Sequence, residues 1–455
     1  MVKNNIKRLV MTAALCAATF GATAQNGFNV PFSQFGIGSS EQPFNLPMVT
    51  RMGGIVYTLA GNNFVNPFNP ASYGAIEKES FVFDMGVGIQ MSTLRDNTNP
   101  QMFDADGNLG YLLIAMPLTK RWKLAAGLMP YSTVSYESVY LDENNPSYNG
   151  GTVKTVYSGG DGDGNPSGVN EVFLGTAFNV QKGKGNRPDI QVGFNINYLT
   201  GQIKRAIAYT FLGNDTTYFV NSLRYKQTTV SNLTFDLGLQ VRQPLGEKNV
   251  LALGVVYKPY LDMKVNDLAM IYTYVGSSSL DTVFPAAGQN PEFKSRLERP
   301  QTLGVGISLE LDRQWRVAFD ATFAAWQGMK YTEGMTPSIM GSSTVRHTSC
   351  SRYAMGVERM GNMDASSYWG RISWSLGAHL TQGALVLNIG GTPYELGESG
   401  FGAGATLPMR KGKSLLTLSA GYNSLGSRDV LQHNTLTFGI AVSSCERWFF
   451  KRQYN

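Results

Sequence analysis

Leu233-Thr234-Phe235-Asp236-Leu237-Gly238-Leu239-Gln240-Val241-Arg242 is the stretch on which the fold turns. Leu233, Phe235, Leu237, Leu239 and Val241 fall on one parity, and Thr234, Asp236, Gly238, Gln240 and Arg242 on the other. Successive side chains of a strand point to opposite faces, so this period of two predicts a strand with one large apolar face and one small or polar face. Ser80–Met91 repeats the pattern: Phe81, Phe83, Met85, Val87, Ile89 and Met91 alternate with residues that include Asp84, Gly86, Gly88 and Gln90. Asn434–Ser443 repeats it again, with Leu436, Phe438, Ile440 and Val442 against Thr435, Thr437, Gly439 and Ala441. A soluble sandwich alternates too. Spans of about 10 residues, however, exceed the 5–6 usual in soluble sheets and suit a transmembrane barrel.

Working outward, about fourteen such segments are found, at 80–93, 109–118, 121–137, 168–181, 188–203, 226–242, 248–264, 298–312, 314–328, 351–361, 368–381, 401–410, 414–424 and 434–445. The connections after even-numbered segments are short, as at Thr119-Lys120 and Arg313; those after odd segments are mostly long, as at 138–167 and 265–297. Short turns at one end and long loops at the other mark an outer-membrane barrel, and an even count places both termini in the periplasm. The predicted fold is thus all-β: a transmembrane antiparallel β-barrel of about 14 strands, in the outer membrane of a Gram-negative bacterium.

Composition agrees. Of 455 residues only 15% are charged, 51 are glycine, and Phe, Tyr and Trp number 24, 22 and 6. Abundant aromatics exclude a disordered chain. A mean hydropathy of −0.14 and the lack of long apolar runs exclude a bundle of membrane helices. Lys3, Lys7 and Arg8, then Leu9 to Phe20, then Ala22-Thr23-Ala24, read as a secretory signal peptide over residues 1–24. Cleavage before Gln25 removes three of the positive charges behind the net +6, so the basic balance does not point to nucleic acid. Cys350 and Cys445 remain, too few for a disulfide scaffold and expected at opposite ends of the barrel. Trp122, Trp315, Trp369 and Trp448 lie beside short turns or near the C-terminus, where indoles favour the headgroup level of a bilayer.

Residues 25–79 do not read as wall. Pro31, Pro43, Pro47, Pro67 and Pro70 crowd this segment, and proline cannot donate to a central ladder. It is expected to be a hatch in the lumen or a periplasmic extension, followed by the barrel over 80–455. Just before the first strand stands Asn69-Pro70-Ala71, a bend that either seals the lumen or simply turns the chain into the wall. Within the third segment, Gly127-Leu128-Met129-Pro130 either ends the strand, with an exterior loop from Tyr131, or interrupts it; the run stays β-prone through Tyr140, so a bulge or kink at Pro130 is the favoured expectation.

On Asn69-Pro70-Ala71, the strand count and the proline-interrupted third strand, the chain resembles the FadL/TodX family of outer-membrane transporters for long-chain fatty acids and other hydrophobic compounds. The resemblance implies a barrel with an N-terminal hatch and substrate passing sideways into the bilayer at a kink marked by Gly127 and Pro130. Its partners would be outer-membrane lipid and a hydrophobic small molecule, with no cofactor. The family also includes accessory barrels of secretion or assembly complexes, so an alternative is a non-transporting barrel that docks proteins through its long exterior loops.

Parity turns Asp84, Asp236, Glu310, Arg316, Asp320, Glu358, Arg371 and His379 into the lumen. Interior charges are expected to pair with one another; alternatively, Arg371 or Arg316 would hold a substrate carboxylate. Ser158–Asn165 carries closely spaced oxygen ligands but lacks the calcium-loop pattern, so no metal is expected. His347 and His433 are expected in exterior loops, and only His379 points inward without a nucleophile motif, so no enzyme is expected.

Overall fold

The computed structural model describes residues 30–34, 38–40, 46–95, 102–148, 151–160, 166–183, 185–212, 220–275, 278–284, 290–325, 331–332, 345–389, 392–409, 413–429 and 431–447. The wall is a closed antiparallel barrel of 14 strands, several broken by a bend or bulge. They are β1 (Ser80–Arg95), β2 (Met102–Pro117), β3 (Trp122–Val134 and Tyr136–Asn145), β4 (Gly151–Gly159 and Ser167–Gln181) and β5 (Asp189–Leu212). Next come β6 (Asn221–Leu245), β7 (Asn249–Lys258 and Leu261–Val275), β8 (Ser278–Phe284, Glu292–Arg299 and Thr302–Leu311), β9 (Trp315–Ala324 and Tyr331–Thr332) and β10 (Val345–Arg359). The last four are β11 (Ser373–Ile389), β12 (Thr392–Glu395 and Glu398–Met409), β13 (Ser414–Ser427) and β14 (Leu431–Arg447). Closure comes from β1 against β14, in register from Ser80↔Arg447 to Arg95↔Gln432.

The parity rule holds in three dimensions. Leu233, Phe235, Leu237 and Leu239 face outward and remain exposed, whereas Thr234, Asp236 and Gln240 are buried inside. Leu253, Phe319, Leu376, Phe401, Phe438 and Ile440 extend the exposed apolar surface around the wall. A band of that extent is far larger than a water-facing monomer tolerates and is the surface of a lipid-facing barrel. No helix among the described residues is long and apolar enough to cross a membrane. Cys350 and Cys445 are free thiols.

Several expected loops are strand. Tyr136–Asn145 pairs with Gly151–Gly159, which pairs with the outer half of β5, so most of 138–167 is a hairpin that raises one side of the wall. Much of 265–297 is likewise strand, in β7 and β8. β5 and β6 run for 24 and 25 residues, more than twice what a bilayer needs. Beyond the lipid a strand has no need of an apolar outer face, so the alternation fades while the ladder continues. Asp267 fastens this raised side: Thr228 and Ser295 each donate to it at 2.6 Å, and Lys226 Nζ lies 3.5 Å away. His433 and His347 are therefore in β14 and β10 rather than in loops, and His433 is buried. Residues 1–24, expected to be a signal peptide, and Asp161–Asn165, Trp326 and Trp448 lie outside the described residues.

Candidate functional site: the hatch and the parted third strand

Inside the barrel, the segment read in the sequence as a hatch packs against the wall on nearly every side. Its core is a turn of helix at Pro47–Thr50, an irregular stretch that bends at Tyr57 and Thr58, and the 3-10 turn Pro70–Ala75. Asn69 sets that last turn. Its Oδ1 accepts the Ala71 N–H at 3.1 Å, its Nδ2 donates to the Tyr57 carbonyl at 2.7 Å, and it is fully buried. Pro70, which has no N–H to satisfy, occupies the first helical position, where proline is favoured. Asn66 ties the loop internally by donating to the carbonyls of Val56 and Leu59. The bend at Asn69-Pro70-Ala71 thus lies against the inner wall.

Glycines of the wall make this close approach possible. A Cβ on Gly193 or Gly238 would overlap Pro70 and Asn69; on Gly254, Tyr57; on Gly356 and Gly377, Met52; and on Gly402, the Thr50 carbonyl. Neighbours along this lane sit opposite each other in the ladders: Gly193 and Gly238, Gly254 and Gly306, Gly356 and Gly377, Gly377 and Gly402. The glycine excess of the sequence is in part this belt, which lets backbone lie on backbone.

Polar side chains of the wall secure the hatch around its circumference. Asp320 Oδ2 accepts the N–H groups of Val56 and Tyr57 at 2.6 and 2.9 Å. Asp84 accepts Val65 N–H at 3.2 Å and the Tyr111 hydroxyl at 3.0 Å. Gln240 donates to the Thr58 carbonyl, Arg352 to Gly54, Asn179 to Gly74 and Asn195 to Pro67. Tyr73 donates in turn to Asn195 Oδ1 at 3.1 Å. Burial pushes the Tyr73 hydroxyl above its ordinary value and keeps it a donor. Arg51 of the hatch ends an alternating chain of charge. Glu358 lies 2.6 Å from Arg51 and 2.7 Å from Arg316, which is 2.9 Å from Glu310, itself 3.1 Å from Arg242.

The lumen residues expected from parity fall as follows. Asp84, Asp236, Asp320, Glu358 and His379 are buried inside, and Glu310 and Arg316 are part-buried there. Asp236 is met by Arg299 at 3.1 Å, Lys258 at 3.5 Å and the Asn197 amide at 2.8 Å. Arg316 is fully engaged by Glu310 and Glu358, which accords with charge pairing. His379 Nε2 lies 3.9 Å from Glu398 Oε1. Arg371 is a correction: it closes the short helix Tyr368–Arg371 in a turn and stacks over Tyr368 at 5.4 Å. The inward parity fails at Arg371 because the strand starts at Ser373, five residues later than the periodicity predicts. Sequence reading missed Arg51, Gln240, Asn195, Arg352, Lys258 and Arg299. Gln240, like Asp236, shares the inward parity that was already visible.

The wall is not uniform at β3. Its ladder with β2 runs only from Pro117↔Lys123 to Leu112↔Leu128. Beyond that, Met102–Tyr111 of β2 pairs with β1 alone among the described residues. β3 continues through Pro130, but its register with β4 shifts between Pro130 and Ser132, so Tyr131 is the extra residue of a bulge. The edge thus freed is taken by the hatch, where Ser39–Ser40 pairs with Thr133 and Ser132. Nearby, Val30 N–H donates to Ser135 O, and Ser33 and Ser135 exchange bonds. Gly127 stands where the strands part, and a Cβ there would overlap Leu113 and crowd Phe173. Behind the parted strand lies an apolar cluster of Val134, Tyr136, Val169, Leu199, Ile203, Val230, Met263, Val265 and Leu297, against which Tyr131 packs.

The site thus consists of a 14-strand wall, an N-terminal segment seated inside it and a bulged third strand whose free edge that segment takes. The family model described as BamG matches residues 5–455, and the chain belongs to that family. Among solved structures, it is similar to the toluene transporter TodX of Pseudomonas putida at 14% identity and a TM-score of 0.54, covering 91% of this chain and 100% of that one. It is also similar to the CymD monoaromatic hydrocarbon channel, at 13% and 0.51, covering 89% and 98%. A FadL homologue of Pseudomonas aeruginosa matches at 12% and 0.50, covering 93% and 100%. At these identities the likeness is one of fold. No curated protein sequence matches the chain.

Proposed function

We propose that the protein is a passive outer-membrane channel for a hydrophobic small molecule with the character of a long-chain fatty acid. The observation that carries this reading is the parting of β2 and β3 after Leu128, with an apolar cluster behind it. The hatch blocks the axis of the barrel, so a solute entering from the long-loop end meets that cluster before it meets the plug. The apolar cluster suits an apolar tail, and the Asp236, Arg299 and Lys258 group near Tyr131 would meet a polar head. A gap beside Pro130 then opens toward lipid, so the molecule leaves the lumen without crossing the polar turns. The wall holds no energy source, and movement is down a gradient. In this reading the chain is not an enzyme, residues 1–24 are a signal peptide, 25–79 the hatch and 80–455 the barrel. The short-turn end and both termini face the periplasm.

A second reading is favoured by how firmly the hatch is held. Asp84, Asp320 and Glu358 bind it at separate points of the wall, as befits a permanently plugged barrel that docks partner proteins in secretion or outer-membrane assembly. Its raised side, β3 to β8, would be the docking surface. Mild purification followed by native mass spectrometry separates the two. Uptake predicts co-purified apolar molecules that are lost when Tyr131 and Met263 are changed to Asp. Docking predicts a stoichiometric protein partner and no such molecule.

A further inference from the structure

Arg359 is the last residue of β10 at the short-turn end, and its side chain is exposed. The preceding Glu358 points inward to Arg51 and Arg316, so Arg359 points to the lipid side of the wall. In the ladders it stands directly between Trp315 of β9 and Trp374 of β11. Opposed residues of adjacent strands share a face. Arg359 therefore shares the outer face of the wall with two indoles that are 46% and 44% exposed. Trp369, from the adjoining turn, stacks on Trp374 with centroids 6.4 Å apart and planes 9° apart. Arg359 makes no side-chain hydrogen bond or ion pair with another described residue.

A cation on the lipid face of a barrel is costly at the bilayer midplane and nearly free at headgroup depth, where tryptophan also prefers to lie. Arginine holds phosphate through two parallel N–H bonds, which lysine cannot reproduce in geometry. We infer that Arg359, framed by Trp315 and Trp374, binds the phosphate of an anionic phospholipid in the leaflet at the short-turn end. Two features favour lipid over an acidic protein. The three indoles beside Arg359 lie on the outer wall, at the level where the exposed apolar band ends. Exposed cations also recur all round this end, at Lys120, Arg121, Lys182, Arg187, Lys248, Arg313 and Lys413, and not on one flank. The inference rests on the wall standing in a bilayer and is independent of the uptake reading.

The test uses the full chain with Trp122, Trp326 and Trp448 changed to Phe, reconstituted in vesicles of phosphatidylcholine. Brominated phosphatidylglycerol or brominated phosphatidylcholine is added at equal mole fraction, and quenching of the three remaining indoles is read. Phosphatidylglycerol should bind about fivefold more strongly beside them, the scale of one cation at an anionic surface. Arg359→Gln should remove most of the preference, leaving what the surrounding cations supply, and Arg359→Lys, which keeps the charge, should retain more of it. Substituting Lys264 and Lys294 at the other end should leave it intact. Equal quenching by the two lipids, or a preference undiminished by Arg359→Gln, overturns the inference. So does loss of an acidic protein from natively purified Arg359→Gln material with the lipid preference unchanged.

Discussion

Asp320→Ala is the perturbation that most cleanly isolates the seat of the hatch. One carboxylate oxygen accepts two buried N–H groups, from Val56 and Tyr57. Removing it leaves both donors without a partner, at about 1–3 kcal/mol each, or ~2–6 kcal/mol together. Water entering the vacated space offsets part of this, which favours the lower end. Even ~2 kcal/mol raises the population of locally open hatch about thirtyfold. Asp320→Asn keeps an acceptor oxygen of similar shape but loses the assistance of charge, so its effect should be roughly half as large. The barrel has its own closed ladder and should persist. Amide hydrogen exchange resolves the matter: the segment 52–60 should exchange about thirtyfold faster in Asp320→Ala, while the ladder of β13 and β14 keeps its protection. Unchanged protection of 52–60 in a normally folded Asp320→Ala barrel would refute the claim that this carboxylate holds the plug.

Gly402→Val forces a side chain into the Thr50 carbonyl and should displace the Pro47–Thr50 turn, seen as increased leakage of small polar solutes into proteoliposomes. Asn69→Ala combined with Pro70→Ala removes the cap of the 3-10 turn and its bond to Tyr57, and should raise the same leakage at normal barrel abundance; equal permeability would count against a sealing role. Glu358→Gln leaves Arg51 and Arg316 sharing a neutral acceptor, and should lower the midpoint of thermal unfolding by several degrees, whereas Arg316→Met with Glu310→Leu should cost less because it deprives only the part-exposed Arg242 of its partner.

The wall was legible because a bilayer imposes a simple rule on every strand: apolar outside, small or polar inside. Phe235 and Asp236 obey it, as do Ile440 and Ala441, and so the strand count could be read directly. The rule lapses where lipid ends. Tyr136–Asn145 and Gly151–Gly159 are solvated strands whose ladder comes from backbone pairing, so their sequence looks like loop. Parity also found Asp84, Asp320 and Glu358, but their partners are contacts at long range in the chain. Glu358 meets Arg51 across 307 positions, and no local pattern carries that information. Pro130 is a different case. Proline announces a missing donor locally, and the bulge lies at the next residue, yet which neighbour the strand leaves depends on the hatch strand Ser39–Ser40.

Uptake of radiolabelled oleate by cells producing either the natural chain or Pro130→Val tests the central claim most directly. Valine restores a backbone donor and a β-branched side chain, which favours continuation of the β2–β3 ladder past Leu128 and closure of the wall. Uptake should fall at least tenfold, toward that of cells lacking the barrel, with unchanged protein abundance and unaltered exchange over 52–60, away from the Ser39–Ser40 strand that a longer β2–β3 ladder would displace. Uptake that survives the change, or natural-chain cells that take up no more oleate than cells without the protein, would contradict it.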